Sequence, residues 1–399
     1  MSEAELRAEI ASLPESTRER LRAAGFDPER LVRLAAPLHA RASGQKPAGA
    51  DERNRVAGSV EAPRPGDVAD APTRAPRGSD RLEALGLGAI SRGELAFCVM
   101  AGGMATRMGG VVKALVEAVD GRSFLELRLK ENETWSRRAR VPVPLWLMTS
   151  DATDGPIRTE LARLGAGRHV QTFTQDVGLR LTPEGLLFRD ERGEPSTYAT
   201  GHGDLPDAIR RSGLLADFVA RGGRYVWITN LDNLGATVDP VLLGWFIDQG
   251  IDLMVEVAPK VEGDRGGIPV WADARDEAGR PARRLQVLEE FRLPKGFDAS
   301  AVRVFNTNTF LVRAEALLRA PIQWSWVEVQ KTVGGRAAVQ FERLLQELTA
   351  AMPAAYVRVP RDGAASRFLP VKDQAELASR RDEIRAVARA RGMLSPPAS

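Results

Sequence analysis

Apolar runs and helix-spaced apolar positions take turns along this chain from Leu82 onward. Runs of apolar and β-branched residues predict strands at 96–100, 143–149, 169–173, 225–230, 252–258, 303–312 and 354–359. Between them, helical spacing predicts helices at 122–139, 154–165, 204–221, 239–249, 314–319, 337–350 and 373–391. Such alternation predicts an α/β fold, a mainly parallel sheet with helices on both faces. Residues 261–294 break the rhythm and are expected to form a β excursion over the site.

Ahead of this unit, Leu6, Ile10 and Leu13 recur at helical spacing, as do Leu31, Leu34 and Leu38 after the helix start Asp27-Pro28. Residues 43–80 are rich in Pro, Gly, Ala and charge, with almost no large apolar residue. That composition is expected to leave an extended or mobile connector, an ordered strap around the core being the alternative. The expected division is an N-terminal helical segment (1–42), a connector (43–81), a catalytic domain (82–372) and a C-terminal helix and tail (373–399).

Composition narrows the function. Of 399 residues, 43% are hydrophobic and 27% charged, as in soluble globular proteins. The net charge of +3 and pI of about 9.2 reflect a slight arginine excess, which suits small anionic substrates and gives no nucleic-acid stripe. Cys98 is the only cysteine, so intrachain disulfides and cysteine metal sites are excluded; its apolar run predicts a buried, inert thiol. Only His39, His169 and His202 are present, which argues against a histidine-rich metal site. No apolar stretch approaches the roughly 20 residues of a membrane span, and the charged amino terminus lacks a signal-peptide core. A cytoplasmic protein with no membrane partner is expected.

Residues 97–109 read FCVMAGGMATRMG. An apolar run ends in a glycine pair and is followed by Arg107 and Lys113. This predicts a ligand loop at the carboxyl end of a parallel strand. Gly102 and Gly103 let backbone approach a base or phosphate closely, and the cations can neutralise phosphate oxygens. The spacing fits neither the Walker loop nor the GxGxxG dinucleotide fingerprint. The run 225–228, YVWI, leads straight into Asn230 and Asp232, which places a second polar cluster at a strand's carboxyl end.

The loop resembles the signature of the sugar-nucleotide pyrophosphorylases. Five later segments follow it: GHGD (201–204), NLDNLGATVD (230–239), EVAPK (256–260), FNTN (305–308) and RFLPVK (367–372). In that order they are similar to the UTP–glucose-1-phosphate uridylyltransferase (UDP-glucose pyrophosphorylase) family, over about residues 90–380. The resemblance implies a Rossmann-like sheet of the nucleotide-diphospho-sugar transferase type. It also implies Mg²⁺ and the substrates UTP and a sugar 1-phosphate. Ala101, Gly102, Gly103 and Gly201 would line the nucleotide, and Gln175 would read the uracil edge with its two-faced amide. Lys113, Arg107 and Lys372 would hold the phosphates around the reacting centre. Asp232 would ligate Mg²⁺. His202, Asn230, Gly267, Glu289, Asn306 and Asn308 would bind sugar and phosphate. Four residues depart from the family pattern: Val112 precedes the lysine in place of proline, Ala199 and Thr200 replace prolines before GHGD, and Arg107 stands where this branch often has a small residue.

The implied reaction joins UTP and glucose 1-phosphate into UDP-glucose and pyrophosphate by in-line attack of the sugar phosphate on the α-phosphate. Two alternatives stay open: another sugar 1-phosphate, galactose or N-acetylglucosamine, or a catalytically degenerate nucleotide sensor. Only about 27 residues follow Lys372, so no C-terminal β-helix is expected, and with it a monomer.

Overall fold

The computed structural model describes residues 2–72, 79–105, 109–275 and 279–395. Its centre is an eight-stranded sheet in the order Val68–Asp70, Ala354–Arg358, Leu253–Pro259, Val304–Arg313, Tyr225–Asn230, Leu95–Met100, Leu145–Thr149, Val170–Thr174. Val304–Arg313 runs antiparallel to both neighbours, and every other pairing is parallel. All seven expected strands are present. The eighth, Val68–Asp70, comes from the expected connector.

The strand Leu95–Met100 is buried on both faces, as a parallel strand covered by helices must be. Its period of two divides the core. Leu95, Phe97 and Val99 join one apolar cluster, while Ala96, Cys98 and Met100 join the other. Cys98 is buried as expected, and burial pushes its thiol pKa upward. The helix Phe124–Ala139 starts on a capping box, with Ser123 and Glu126 each holding the other's backbone N–H. It stops at Arg140, whose φ of 60° is left-handed.

Three helical expectations are corrected. The helix expected at 337–350 is instead the hairpin Val327–Val333 with Arg336–Glu342, then a 3-10 turn, Leu345–Glu347, and a short helix, Leu348–Ala351. Gly334 and Gly335 both have positive φ, 55° and 75°, which makes the two-residue hairpin turn. The stretch at 204–221 is broken into Leu205–Arg211 and Leu214–Ala220 by Gly213, at φ 80°. The stretch at 373–391 is two helices, Gln374–Ser379 and Arg381–Ala390.

The β excursion is the hairpin Gly267–Arg275 with Pro281–Glu289. Over residues 43–72 the expected connector is a strap along it. Val56 N–H donates to the Arg292 carbonyl, Glu61 and Trp271 exchange backbone bonds, and Trp271 Nε1 donates to Asp67 at 2.6 Å. Backbone pairing thus supplies what composition did not predict. Three N-terminal helices, Glu3–Ala11, Glu15–Ala23 and Pro28–Ala42, pack Leu6, Val32 and Leu38 against Leu179, Leu181, Val339 and Phe341. No helix among the described residues is long and apolar enough to cross a membrane.

Candidate active site

The parallel strands at 95–100, 145–149, 170–174 and 225–230 deliver their carboxyl ends to one edge of the sheet. Ladder bonds run on into the loops: Ala101 N–H donates to Met148 at 2.7 Å, and Gln175 N–H donates to Thr149 at 2.8 Å. The hydroxyl of Ser150 donates to the Gly102 carbonyl at 3.0 Å. A Cβ on Gly102 would stand 3.0 Å from Gln175 Oε1, so the absent side chain makes room for the glutamine amide. A Cβ on Gly103 would meet nothing within 4 Å. The loop folds back through a small ladder, Met104–Ala105 with Val111–Val112, and Lys113 N–H closes it on the Gly103 carbonyl at 3.2 Å. This return brings Lys113 back to the strand end despite the short spacer. Arg107 lies outside the described residues.

Lys113 Nζ sits 2.5 Å from Asp232 Oδ2. The backbone of 230–236 is gathered by Arg128, fully buried on the helix Phe124–Ala139. Its guanidinium donates to the carbonyls of Leu231, Ala236, Asn230 and Asn233 and pairs with Glu131 at 2.8 Å. Asn233 holds the loop of residues 367–369. It donates to the Arg367 carbonyl and accepts from Leu369 N–H at 2.7 Å. Arg367 grips Glu256 through two bonds of 2.7 and 2.6 Å. A Cβ on Gly235 would meet the Ser366 carbonyl oxygen at 2.7 Å. The segments NLDNLGATVD and RFLPVK are therefore interlocked. Lys372, at the end of the second, is exposed; its backbone N–H is held by Glu376 at 2.7 Å. Its charge acts on Asp264, which Arg361 also holds, beside the turn into Gly267. No hydrogen bond or ion pair joins Lys372 to Lys113 or Asp232.

The GHGD glycines have a structural reason that sequence reading missed. A Cβ on Gly201, at φ 103°, would lie 2.6 Å from the Arg343 carbonyl oxygen, and one on Gly203 would lie 2.5 Å from its carbonyl carbon. Buried Arg343 pairs with Asp176 at 2.8 Å, Asp204 at 2.6 Å and Asp207 at 2.5 Å, tying the GHGD turn to the segment after Gln175. Burial raises the carboxyl pKa of Asp204. His202 Nδ1 accepts the Leu345 N–H at 2.9 Å. Burial lowers the pKa of His202 to about 4, so the imidazole is neutral, carries its proton on Nε2 and can donate from there.

The sugar-binding candidates also meet. Asn308, left-handed at φ 58°, donates from Nδ2 to Asn230 Oδ1 at 3.1 Å and from its backbone to Asn306 Oδ1 at 3.0 Å. A Cβ on Gly267 would stand 3.1 Å from Glu289 Oε1 and 3.7 Å from Asn306 Cβ. Of the adjacent carboxylates, Glu290 pairs with Lys260 at 2.6 Å, and Glu289 accepts from Gln346 Nε2, also at 2.6 Å. Burial and then Glu290 raise the pKa of Glu289. Among the described residues no group of three or more His, Cys, Asp or Glu could hold a metal. Arg128, Arg343 and Gln346 were not expected from sequence. For Arg128 a signal was available: Arg128 and Glu131 fall on the apolar face of their helix.

A family model for UTP–glucose-1-phosphate uridylyltransferase matches residues 83–395. The chain belongs to this family. The probable UTP–glucose-1-phosphate uridylyltransferase of Schizosaccharomyces pombe is 30% identical over 336 residues, covering 80% of this chain and 63% of that protein. The UTP–glucose-1-phosphate uridylyltransferase of Saccharomyces cerevisiae is 30% identical over 304 residues, 71% of this chain and 58% of that protein. The chain thus spans about three fifths of these uridylyltransferases. Among solved structures, a UDP-glucose phosphorylase from Trypanosoma brucei superposes with a TM-score of 0.69 at 23% identity, covering 91% of this chain and 77% of that one. The uridine diphosphate N-acetylglucosamine pyrophosphorylase of the same organism gives 0.70 at 20% identity, over 97% and 81%. The fold is that of the nucleotide-sugar transferases, and both sugar branches share it.

Proposed function

We propose that this uridylyltransferase-family chain makes UDP-glucose and pyrophosphate from UTP and glucose 1-phosphate, reversibly. One observation carries the reading. Residues of family-matched segments far apart in sequence pair with one another: Gln175 on Gly102, Lys113 on Asp232, Asn308 on Asn230, and Glu289 beside Gly267.

In this reading Gln175 meets the uracil imide edge, with Ala101, Gly102, Gly103 and Gly201 along the nucleotide. Lys113, Arg107 and Lys372 neutralise the phosphates. Asn230, Gly267, Glu289, Asn306 and Asn308 address the sugar, and the Nε2–H of His202 donates to phosphate or sugar. A phosphate oxygen of the sugar attacks the α-phosphorus of UTP. The new P–O bond forms as the bond to the β-phosphate bridge breaks, and pyrophosphate departs with the electron pair. The sugar phosphate is largely dianionic at neutral pH, so no protein base is needed. Alignment and charge neutralisation by side chains carry the rate.

Asp232 is the carboxylate that would hold Mg²⁺. A single carboxylate fits that ion, which keeps waters and takes other ligands from phosphate oxygens. When bound, it would supply charge neutralisation on the triphosphate. Assay of pyrophosphate release from UTP and Mg²⁺ with glucose, galactose and N-acetylglucosamine 1-phosphates tests the proposal. Glucose 1-phosphate should lead; release with none of the three would refute it.

A further inference from the structure

We infer that Gln346 is a specificity-determining residue for the sugar, its side-chain oxygen accepting a hydrogen bond from a hexose hydroxyl beside Glu289. The inference rests on the sugar 1-phosphate reading above. Gln346 lies in the 3-10 turn Leu345–Glu347, and it is 2% exposed. Its backbone is fixed: the carbonyl accepts from the Thr349 hydroxyl at 2.6 Å, and that oxygen accepts the Val287 N–H at 2.9 Å. The preceding Leu345 N–H is spent on His202 Nδ1 at 2.9 Å. The side-chain amide extends from this fixed backbone.

That amide is half satisfied. Nε2 donates to Glu289 Oε1 at 2.6 Å, which sets which end is nitrogen. Oε1 is buried and has no hydrogen-bond partner. A buried acceptor without a donor is unfavourable, and a site that binds a ligand there is one reason a fold keeps it. Asn308 Oδ1, across the same cluster, is a second buried acceptor without a partner. Gln346 bonds Glu289, Asn308 bonds Asn306, and Glu289 Oε1 and Asn306 Cβ are among the neighbours a Cβ on Gly267 would meet, so both unpaired acceptors belong to residues of one cluster. Such a cluster of acceptors asks for a ligand rich in donors, which describes adjacent hydroxyls of a hexose. A site built to hydrogen-bond a hydroxyl rejects analogues lacking it.

The test is a functional-group cycle. KM and kcat for each substrate are measured in the unaltered protein and in Gln346→Met, close in volume but without the amide. Glucose 1-phosphate and its 2-, 3-, 4- and 6-deoxy analogues serve as sugars. The variant should raise KM for glucose 1-phosphate about tenfold, with KM for UTP unchanged and kcat little altered. One deoxy analogue, poor with the unaltered protein, should lose its deficit in the variant. Gln346→Asn, which keeps the groups but shortens their reach, should fall between. An unchanged KM for glucose 1-phosphate overturns the inference while leaving the uridylyltransferase reading intact. So does joint loss of UTP and sugar binding, which would make Gln346 merely structural. No turnover by the unaltered protein removes both together.

Discussion

Lys113 and Asp232 are 119 residues apart in the chain, and their side chains meet at 2.5 Å. The glycine loop supplies the cation and the strand Tyr225–Asn230 leads to the anion, so the pair ties the glycine loop to the neighbouring strand end. In the proposed reaction, triphosphate would offer Lys113 a stronger partner and Asp232 a metal to share. Asp232→Asn should lower kcat/KM about tenfold or more at limiting Mg²⁺, with partial recovery at excess Mg²⁺, because a neutral amide is the weaker ligand. Full activity with unchanged Mg²⁺ dependence would make Asp232 a structural partner of Lys113.

The two loop glycines should differ. A methyl at Gly102 points at the Gln175 amide, and a methyl at Gly103 has open space. One methyl in a tight site is worth about 1–3 kcal/mol. Gly102→Ala should therefore raise KM for UTP at least about tenfold and blunt discrimination against ATP. Gly103→Ala should leave the melting temperature and sugar KM near their original values. Equal effects of both changes on UTP binding would detach Gln175 from base recognition.

His202 should stay neutral through the physiological range. Its pKa of about 4 in the fold lies below the ordinary 6.5. Between those values the unfolded chain binds more protons, so the stability this residue contributes is present above about pH 6.5 and is lost as pH falls toward 4. Imidazole NMR shifts should show an Nε2–H tautomer with no titration between pH 8 and 5. A midpoint near 6.5 would contradict burial and the Leu345 hydrogen bond.

The fold was readable from sequence where one period dominated. All seven expected strands formed: the buried ones, the antiparallel Val304–Arg313 among them, carry apolar and β-branched residues, and the more exposed Val170–Thr174 is marked by its β-branched positions. Residues 336–342 misled because alanine-rich sequence fits helix as well as strand; Gly334-Gly335 held the deciding information. The strap at 43–72 was hard to read because only a few small apolar residues, Val56, Val60, Ala62 and Val68, pack on the core, and its backbone pairs with residues far along the chain, Glu61 with Trp271 and Ala71 with Arg358. At the candidate site, sequence named the motif residues but not the buried groups that hold them. Arg128 and Arg343 act on carbonyls and carboxylates that only the tertiary fold brings within reach. The glycines of GHGD looked made for a ligand, yet they admit the backbone of Arg343.

Lys372 is exposed and makes no ion pair among the described residues, so its ammonium is available to phosphate. Lys372→Ala should cost about 2–4 kcal/mol of transition-state stabilisation, seen mainly in kcat. Stability should change by no more than about 0.5 kcal/mol, as for other exposed positions. A near-normal kcat, or a variant that fails to fold, would remove Lys372 from the reaction.

The most direct measurement of the central claim is pyrophosphorolysis. The protein is given pyrophosphate, Mg²⁺ and either UDP-glucose, UDP-N-acetylglucosamine or ADP-glucose, and nucleoside triphosphate formation is followed. UTP should appear from UDP-glucose in equal amount to glucose 1-phosphate, with kcat/KM far above the other two. No UTP from UDP-glucose, or ATP formed from ADP-glucose at a comparable rate, would contradict the uridylyl-transfer account.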